Sequence, residues 1–288
     1  MKSLAFIKSS DRRHWVGDGF PVRTIFSYND IAEELSPFVL LDYAGPAQFP
    51  PTSHKLGVAQ HPHRGIETVT IVYDGGVSHR DSRGGGGTVG QGDIQWMTAG
   101  AGLVHEEYHS SEFAAKGGAF EMIQLWVTLR ARDKMTTPRY QAITADRIPI
   151  VAMPDQAGTA RILAGQYGDA KGSASTFTPM NVWDFRLKAG HRVSFELTSG
   201  HTAALFVLHG AIRLGERNRV RATELAVMAR EGTHLEFYVE EDTTLLLLSG
   251  EPFNEPIVGY GPFVMNSHEE IDQAINDYNS GHFGQIVN

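Results

Sequence analysis

Short apolar and β-branched runs, several of them separated by glycine turns, recur along this chain. In the first half these runs cover residues 66–73, 94–97, 103–109 and 121–129. In the second half they cover residues 182–187, 193–197, 203–208, 225–228, 235–239 and 244–248. Runs of this length with turn residues between them are typical of a β-sandwich or barrel. The four consecutive glycines Gly84–Gly87 predict a mobile loop between two strands.

One clear helix is predicted near the C-terminus. Ser267 and Glu270 have the spacing of a capping box. An apolar stripe at helical spacing follows from Ile271 to Tyr278, and Gly281 has the character of a residue that ends a helix. We expect this stripe to serve packing rather than function. A further short helical turn is expected at residues 31–35.

The distribution of the runs predicts two β-domains. Residues 131–158 are poorer in β-runs and contain three prolines, which indicates a connection. We therefore expect one domain over residues 1–135 and another over residues 136–288. The halves also resemble each other, because Asp93-Ile94-x-x-Met97 has a counterpart in Glu224-Leu225-x-x-Met228. Such echoes favour two copies of one barrel unit.

Composition then narrows the chemistry. The chain has no cysteine, which excludes disulfides, thiolate metal sites and cysteine nucleophiles. Its formal net charge of −8 argues against direct nucleic-acid binding. There is no stretch long and apolar enough for a spanning helix and no secretory signal pattern, so we expect no membrane partner and a cytoplasmic location. Phosphate-loop and nucleophile-elbow motifs are also absent.

Two groups of histidines carry the candidate chemistry. His61 and His63 are two residues apart, so a strand would present both imidazoles on one side. In the run 103–109 the same alternation places His105, Glu107 and His109 on one face. A small antiparallel barrel can bring both inward-facing sets together. The spacing therefore predicts one metal site built from imidazoles and a carboxylate.

Such a set suits Fe(II), Mn(II), Ni(II), Cu(II) or Zn(II). In a six-coordinate ion, four protein ligands leave two positions open for O₂, water or a chelating substrate. The residue pattern leaves Glu67 as a rival to Glu107, because it lies on the same odd-numbered face as the histidines. For His109 the residue pattern leaves three alternatives: a metal ligand, a hydrogen-bond donor to a ligand, or a surface residue. The last two are favoured. His79 and Asp81 form another same-face pair, expected behind the ligands or in a loop.

Several long motifs resemble those of the pirin family. They are His61-Pro62-His63-Arg64-Gly65-Ile66-Glu67-Thr68, Gly92-Asp93-Ile94-Gln95-Trp96-Met97-Thr98-Ala99-Gly100, His105-x-Glu107, Gln124-Leu125-Trp126-Val127, Gly250-Glu251-Pro252-Phe253-Asn254-Glu255-Pro256 and Gly259-x-Gly261-Pro262-Phe263-Val264-Met265-Asn266. The resemblance as a whole extends from about Ser36 to Phe283. The resemblance implies an all-β bicupin: two stacked cupin β-sandwich barrels in one chain, with a short C-terminal helix.

The resemblance also implies a ligand set. The ligand positions of the pirin pattern correspond to His61, His63, His105 and Glu107. The resemblance therefore implies that the carboxylate ligand is Glu107 and not Glu67. It implies one divalent transition metal, with iron(II) first and manganese, cobalt, nickel, copper or zinc as alternatives. The C-terminal cupin of pirins generally lacks metal.

The second half of this sequence agrees with that expectation. The register that gives two histidines in the first half gives Glu196 and Thr198 here. His234-x-Glu236 remains, which is only half of a ligand set.

Two functions follow from the resemblance. The first is a ring-cleaving oxidoreductase of the quercetin 2,3-dioxygenase type, which uses O₂ on a flavonol-like substrate. Glu107 would then be the catalytic residue that accepts the proton of the substrate hydroxyl. The alternative is a metal- or redox-sensing regulator that binds a transcription factor or a metabolic enzyme. We expect the enzyme and keep the regulator as the second hypothesis.

Overall fold

The computed structural model describes residues 1–11 and 13–286, and strands dominate it. The strands before residue 145 are β1 (Leu4–Ser9), β2 (Arg13–Val16), β3 (Phe20–Phe26), β4 (Phe38–Phe49), β5 (Gly57–His63), β6 (Ile66–Asp74), β7 (Val77–Asp81), β8 (Gly86–Val89), β9 (Ile94–Thr98), β10 (Leu103–His109), β11 (Gly118–Thr128) and β12 (Arg139–Ile143). The later strands are β13 (Ile150–Ala152), β14 (Gly158–Ala164), β15 (Gln166–Tyr167), β16 (Ala170–Lys171), β17 (Met180–Leu187), β18 (Arg192–Glu196), β19 (Thr202–His209), β20 (Ala211–Leu214), β21 (Asn218–Arg221), β22 (Glu224–Met228), β23 (His234–Val239), β24 (Thr243–Gly250), β25 (Val258–Tyr260) and β26 (Phe263–Met265).

Helices are few. The α-helices are α1 (Ala32–Leu35), α2 (Ser111–Lys116) and α3 (His268–Asn279). Single 3₁₀ turns occur at Ala131–Asp133, Ala145–Arg147 and Pro154–Gln156. None of the helices in the described part of the chain is long and apolar enough to cross a membrane.

The chain forms two compact units. The histidine unit comprises Asp11–Glu33, Phe38–Ala145 and Asn254–Asn288, so far as these residues are described, and the second unit comprises Met1–Ser10, Glu34–Pro37 and Asp146–Phe253. This division differs from the predicted domains, 1–135 and 136–288, at both ends of the chain. Strand β1 pairs with β22 of the second unit, whereas β25, β26 and α3 belong to the histidine unit.

In the histidine unit two antiparallel sheets share a core. One sheet has the strand order β12-β9-β6-β11-β4-β3-β2, and the other has the order β5-β10-β7-β8. Apolar side chains of both sheets are buried in one cluster, including Val72 and Phe120 of the larger sheet and Val77 and Val89 of the smaller. Alternating side chains of β5 and β10 therefore point either into this sandwich or away from it.

The second unit repeats this arrangement. Its sheets have the orders β1-β22-β19-β24-β17-β14-β13 and β18-β23-β20-β21, again seven strands and four. A single core cluster contains Phe185 of the larger sheet and Phe195 and Phe237 of the smaller. The predicted all-β bicupin, with two copies of one cupin unit, is confirmed.

The C-terminal helix is also confirmed, with the predicted cap. In α3 the Ser267 hydroxyl accepts the backbone N–H of Glu270, and the Glu270 carboxylate accepts the N–H of Ser267, both at 3.2 Å. Ile271 and Ala274 are buried, as the apolar stripe predicted. The short helical turn expected at residues 31–35 is α1.

The glycine run is not wholly a loop, so that prediction was wrong in part. Gly86 and Gly87 belong to β8 and pair with Arg80 and His79 of β7. A Cβ atom on Gly86 would lie 2.8 Å from the carbonyl oxygen of His79, so the strands approach too closely for a side chain there. Glycine is used at this position for close backbone pairing, which composition alone does not distinguish from flexibility.

Candidate metal centre

Neighbouring strands bring three histidines together. Strands β5 and β10 are antiparallel, and His105 lies directly opposite His61. The ring of His105 is centred 4.2 Å from that of His61 and 4.9 Å from that of His63. One ring nitrogen of each residue lies within 4.8 Å of those of the other two. The predicted convergence of the two histidine groups is therefore present for these three side chains.

The three rings are held in their neutral form. Burial lowers the pKa of His61, and it lowers the pKa of His63 and His105 well below their usual value of 6.5. A neutral imidazole has one nitrogen lone pair, which is the state that a metal ion requires. Their environment thus prepares all three side chains as ligands near neutral pH.

Hydrogen bonds to backbone carbonyls fix which nitrogen is available. The Nδ1 atom of His61 lies 2.8 Å from the Ala59 carbonyl oxygen, and that of His63 lies 3.2 Å from the Pro262 carbonyl oxygen. A carbonyl only accepts, so both Nδ1 atoms carry the hydrogen and both Nε2 atoms keep the lone pair. This is the usual arrangement behind a metal-bound histidine.

The surroundings of His105 indicate whether a metal ion fits between the three rings. It is completely buried, and among the described residues neither of its ring nitrogens has a hydrogen-bond partner. Leaving buried polar atoms unpaired costs free energy, about 1–3 kcal/mol each. An ion placed between the three rings would satisfy one of these atoms, so the donor set fits a transition metal.

Glu107 lies close by in sequence and is buried, but the structure does not place it within the histidine group. Its strand contains an irregularity, since the pairing of β10 with β5 shifts between His105 and Glu107. The Gln124 amide donates to Glu107 Oε2 at 3.3 Å, while Oε1 is without a partner in the described chain. Burial raises the pKa of Glu107 to about 7. No carboxylate oxygen belongs to the described set of atoms within 4.8 Å of one another.

The rival carboxylate lies on the other sheet. Glu67 is in β6, opposite Thr98 of β9, and it is fully buried. The Thr98 hydroxyl donates to Glu67 Oε1 at 2.7 Å. Burial raises the pKa of this carboxyl group too.

His109 is buried, so the surface alternative for it was wrong. Its Nε2 atom lies 2.9 Å from the carbonyl oxygen of Gly19, to which it donates. The ring is packed among the aromatic side chains of Phe20, Phe49, Phe113 and Phe120. His109 therefore completes an aromatic cluster at the far end of β10 from His105.

The pair His79 and Asp81 lies on β7, beside β10. His79 is directly opposite Glu107, and its Nε2 atom is 2.5 Å from the Tyr140 hydroxyl oxygen. Burial lowers the pKa of His79 to about 4, so this ring is also neutral. Asp81 accepts the backbone N–H groups of Arg83 and Gly85, which holds the turn after the strand.

The C-terminal segment contributes to the centre, which the sequence pattern did not predict. Besides the Pro262 carbonyl behind His63, Val264 donates its N–H to the Arg64 carbonyl oxygen at 3.2 Å. The Arg64 guanidinium donates to Asp277 of α3 at 2.8 Å and lies over the Phe283 ring. The only sequence signal was the glycine-rich 259–266 block, which held no chemically reactive side chain.

The Arg64–Asp277 pair gives a pH prediction. The hydrogen bond from Arg64 holds the pKa of Asp277 below its ordinary value of 3.8. Because the pKa of this carboxyl group is lower in the folded protein than in the unfolded chain, the ionised group stabilises the fold at pH values above the pKa of the unfolded chain. This stabilisation is lost as the pH falls through the pKa of the folded protein. We therefore expect the free energy of unfolding of the Asp277→Asn variant to fall less than that of the wild type as the pH is lowered. Urea unfolding at about pH 6, 4 and 3 measures it, and an unchanged pH slope in the variant would contradict the assignment.

The corresponding position of the second unit has different chemistry. His234 Nδ1 lies 2.8 Å from Glu196 Oε1, and both side chains are exposed to solvent. The described residues of that unit contain no group comparable with the three histidines.

Comparisons with known proteins agree with this architecture. The pirin family model matches residues 19–127, and that of the pirin C-terminal cupin domain matches residues 182–284. A Pseudomonas aeruginosa protein, named provisionally as a quercetin 2,3-dioxygenase, is 54% identical over 283 residues, which are 98% of this chain and 99% of its own.

Solved structures give the same picture. The crystal structure of quercetin 2,3-dioxygenase from Acinetobacter baumannii is 53% identical, covers 100% of both chains and has a TM-score of 0.97. A bacterial pirin from Escherichia coli, in complex with nickel(II), is 19% identical over 86% of this chain and 99% of its own, with a TM-score of 0.63, and shares the fold. The motifs, the paired cupin units and these matches together show that the chain belongs to the pirin family.

Proposed function

We propose that this protein is a metal-dependent dioxygenase of the quercetin 2,3-dioxygenase type, acting with O₂ on a flavonol-like substrate. The observation that supports this most is the group of His61, His63 and His105, whose ring nitrogens converge, whose rings are neutral and of which the last two are buried. The names of the two most similar proteins described above point to the same activity.

The ligands of the proposed site are His61, His63, His105 and Glu107. The first two would bind through Nε2, because their Nδ1 atoms already donate to carbonyl oxygens. Iron(II) is our first choice of metal, since imidazole nitrogen with one carboxylate suits it, and manganese, cobalt, nickel, copper and zinc suit the same donors. When bound, the ion supplies Lewis-acid chemistry beside the hydroxyl group of the substrate.

Glu107 is the proposed proton acceptor. The Gln124 amide holds Oε2 in place, which leaves Oε1 to accept the proton of the substrate hydroxyl group. Glu107 is buried, so little water competes for that proton. Positioned acid–base groups of this kind contribute about 10²–10⁴-fold to a rate.

The experiment is oxygen uptake with quercetin by protein loaded separately with Fe(II), Mn(II), Co(II), Ni(II) or Cu(II). We expect turnover above that of the free metal in at least one form. No turnover in any form contradicts the proposal. A partner protein whose affinity changes with the oxidation state of the metal would then favour the regulator.

Glu107→Gln tests the role of the carboxylate separately. The amide oxygen keeps the shape of the side chain but is a far weaker base, so turnover per bound metal should fall about 100-fold. Metal content is measured in the same samples, so that loss of the ion cannot imitate loss of the base. Full turnover per metal in the variant would exclude Glu107 as the proton acceptor.

A further inference from the structure

A cavity of about 810 Å³ lies against the smaller sheet of the histidine unit, apart from the three converging histidines. Its walls come from the segment 51–55, from β7, from β10 and from α2. From β10, Glu106, Tyr108 and His109 line this cavity, whereas His105 and Glu107 do not. None of the three histidines of the metal centre lines it. The cavity is therefore a separate space, of a size typical for small-molecule sites.

The charges on its wall do not balance. Lys55 and Arg80 both donate to the same atom, Glu106 Oε1, the lysine at 3.2 Å. Glu106 is almost completely buried and is the only carboxylate among the lining residues. The cavity is thus lined by two cationic side chains and one anionic side chain, on a chain whose formal net charge is −8.

One of the two cations can reach a further partner. The Lys55 side chain is 58% exposed, and its ammonium group has three N–H donors, of which Glu106 takes one. The same ammonium lies 3.7 Å from the centre of the Tyr108 ring. The cation therefore lies over one face of the Tyr108 ring. Pro51, Ala114 and Ala115 add further apolar wall.

We propose that this cavity binds a small organic anion with an aromatic body. The anionic group accepts hydrogen bonds from Lys55, while the ring packs against the apolar wall beside Tyr108. Binding here depends neither on the metal nor on the proposed dioxygenase activity, because none of His61, His63 and His105 lines the cavity.

The test is a fluorescence titration of the full-length protein with 1-naphthoate, compared with the neutral 1-naphthalenemethanol. We expect saturable binding of the carboxylate at one site and binding of the alcohol at least about fivefold weaker, since hydrogen bonds between charged groups are the stronger ones. Lys55→Gln should weaken naphthoate binding by about fivefold or more. Lys171→Gln, at an exposed lysine of β16, is the matched control and should bind normally.

Two further variants locate the binding. Ala115→Trp fills the cavity from an exposed position on α2 and should abolish it, which keeps the test valid if Lys55→Gln is unstable. His63→Ala removes a proposed metal ligand and should leave it unchanged. The proposal is overturned by an absence of saturable binding, by equal binding of the alcohol, or by binding that is lost in His63→Ala and kept in Ala115→Trp.

Discussion

His105→Ala should remove the metal ion from the protein. The side chain is completely buried, and its two nitrogens have no other partner in the described residues. We expect metal affinity to fall more than about 100-fold. Removing a group that only hydrogen-bonds to a metal ligand already lowers affinity by about 10–100-fold, and His105 is a proposed ligand itself. Anaerobic loading with one equivalent of Fe(II), desalting and elemental analysis should give about one ion per wild-type chain and almost none in the variant.

The control for this change is His14→Ala, at an exposed histidine of β2. It should retain the full metal content. Thermal melting of both variants shows whether the fold is intact. A folded His105→Ala protein that still holds one ion per chain would mean that His105 is not a ligand.

The choice of carboxylate is tested in the same assay. Glu107→Ala should lower the metal content, whereas Glu67→Ala should leave it near that of the wild type. Glu67 already accepts the Thr98 hydroxyl and lies on the larger sheet. The reverse result, an empty site in Glu67→Ala and a full one in Glu107→Ala, would show that our ligand choice is wrong.

The largest expected effect on stability is at Lys134. Its ammonium is almost completely buried and donates to the Gly65 carbonyl at 3.0 Å, the Thr128 hydroxyl at 2.9 Å and the Val264 carbonyl at 2.8 Å. Lys134→Met keeps the volume but leaves these three oxygens without this donor. At about 1 kcal/mol for each lost hydrogen bond, we expect the free energy of unfolding to fall by about 3 kcal/mol.

Urea unfolding, followed by tryptophan fluorescence and circular dichroism, measures this loss. Lys116→Met, at an exposed lysine in the last turn of α2, is the matched control. It should change the free energy of unfolding by less than about 0.5 kcal/mol. Equal stability of the two variants would show that the three hydrogen bonds of Lys134 contribute nothing net.

The sequence predicted those features that depend on local periodicity. Side chains two residues apart share a strand face, so His61 and His63 were expected together, and a capping box needs only Ser267 and Glu270. The pirin motifs then supplied the order of the two cupin units. Each of these predictions depends on residues that are close together in the chain or on a long matching string.

Features that depend on distant contacts could not be predicted. Strand β1 pairs with β22, more than 200 residues later, so its place in the second unit has no local signal. The Pro262 carbonyl, which accepts the hydrogen bond of His63 Nδ1, lies 199 residues away from it in the chain. His109 is on the same face of its strand as His105. It packs among phenylalanine side chains and does not join the metal centre, and one of those phenylalanines, Phe49, is distant in the sequence.

Anomalous diffraction from crystals soaked in Fe(II) or Ni(II) shows whether the three histidines bind one metal ion. We expect one strong peak within about 2.0–2.2 Å of Nε2 of His61, Nε2 of His63 and one ring nitrogen of His105. A carboxylate oxygen of Glu107 should complete the set. A fully soaked crystal with no peak between these rings, or with its strong peak elsewhere, would show that these histidines do not form the metal site.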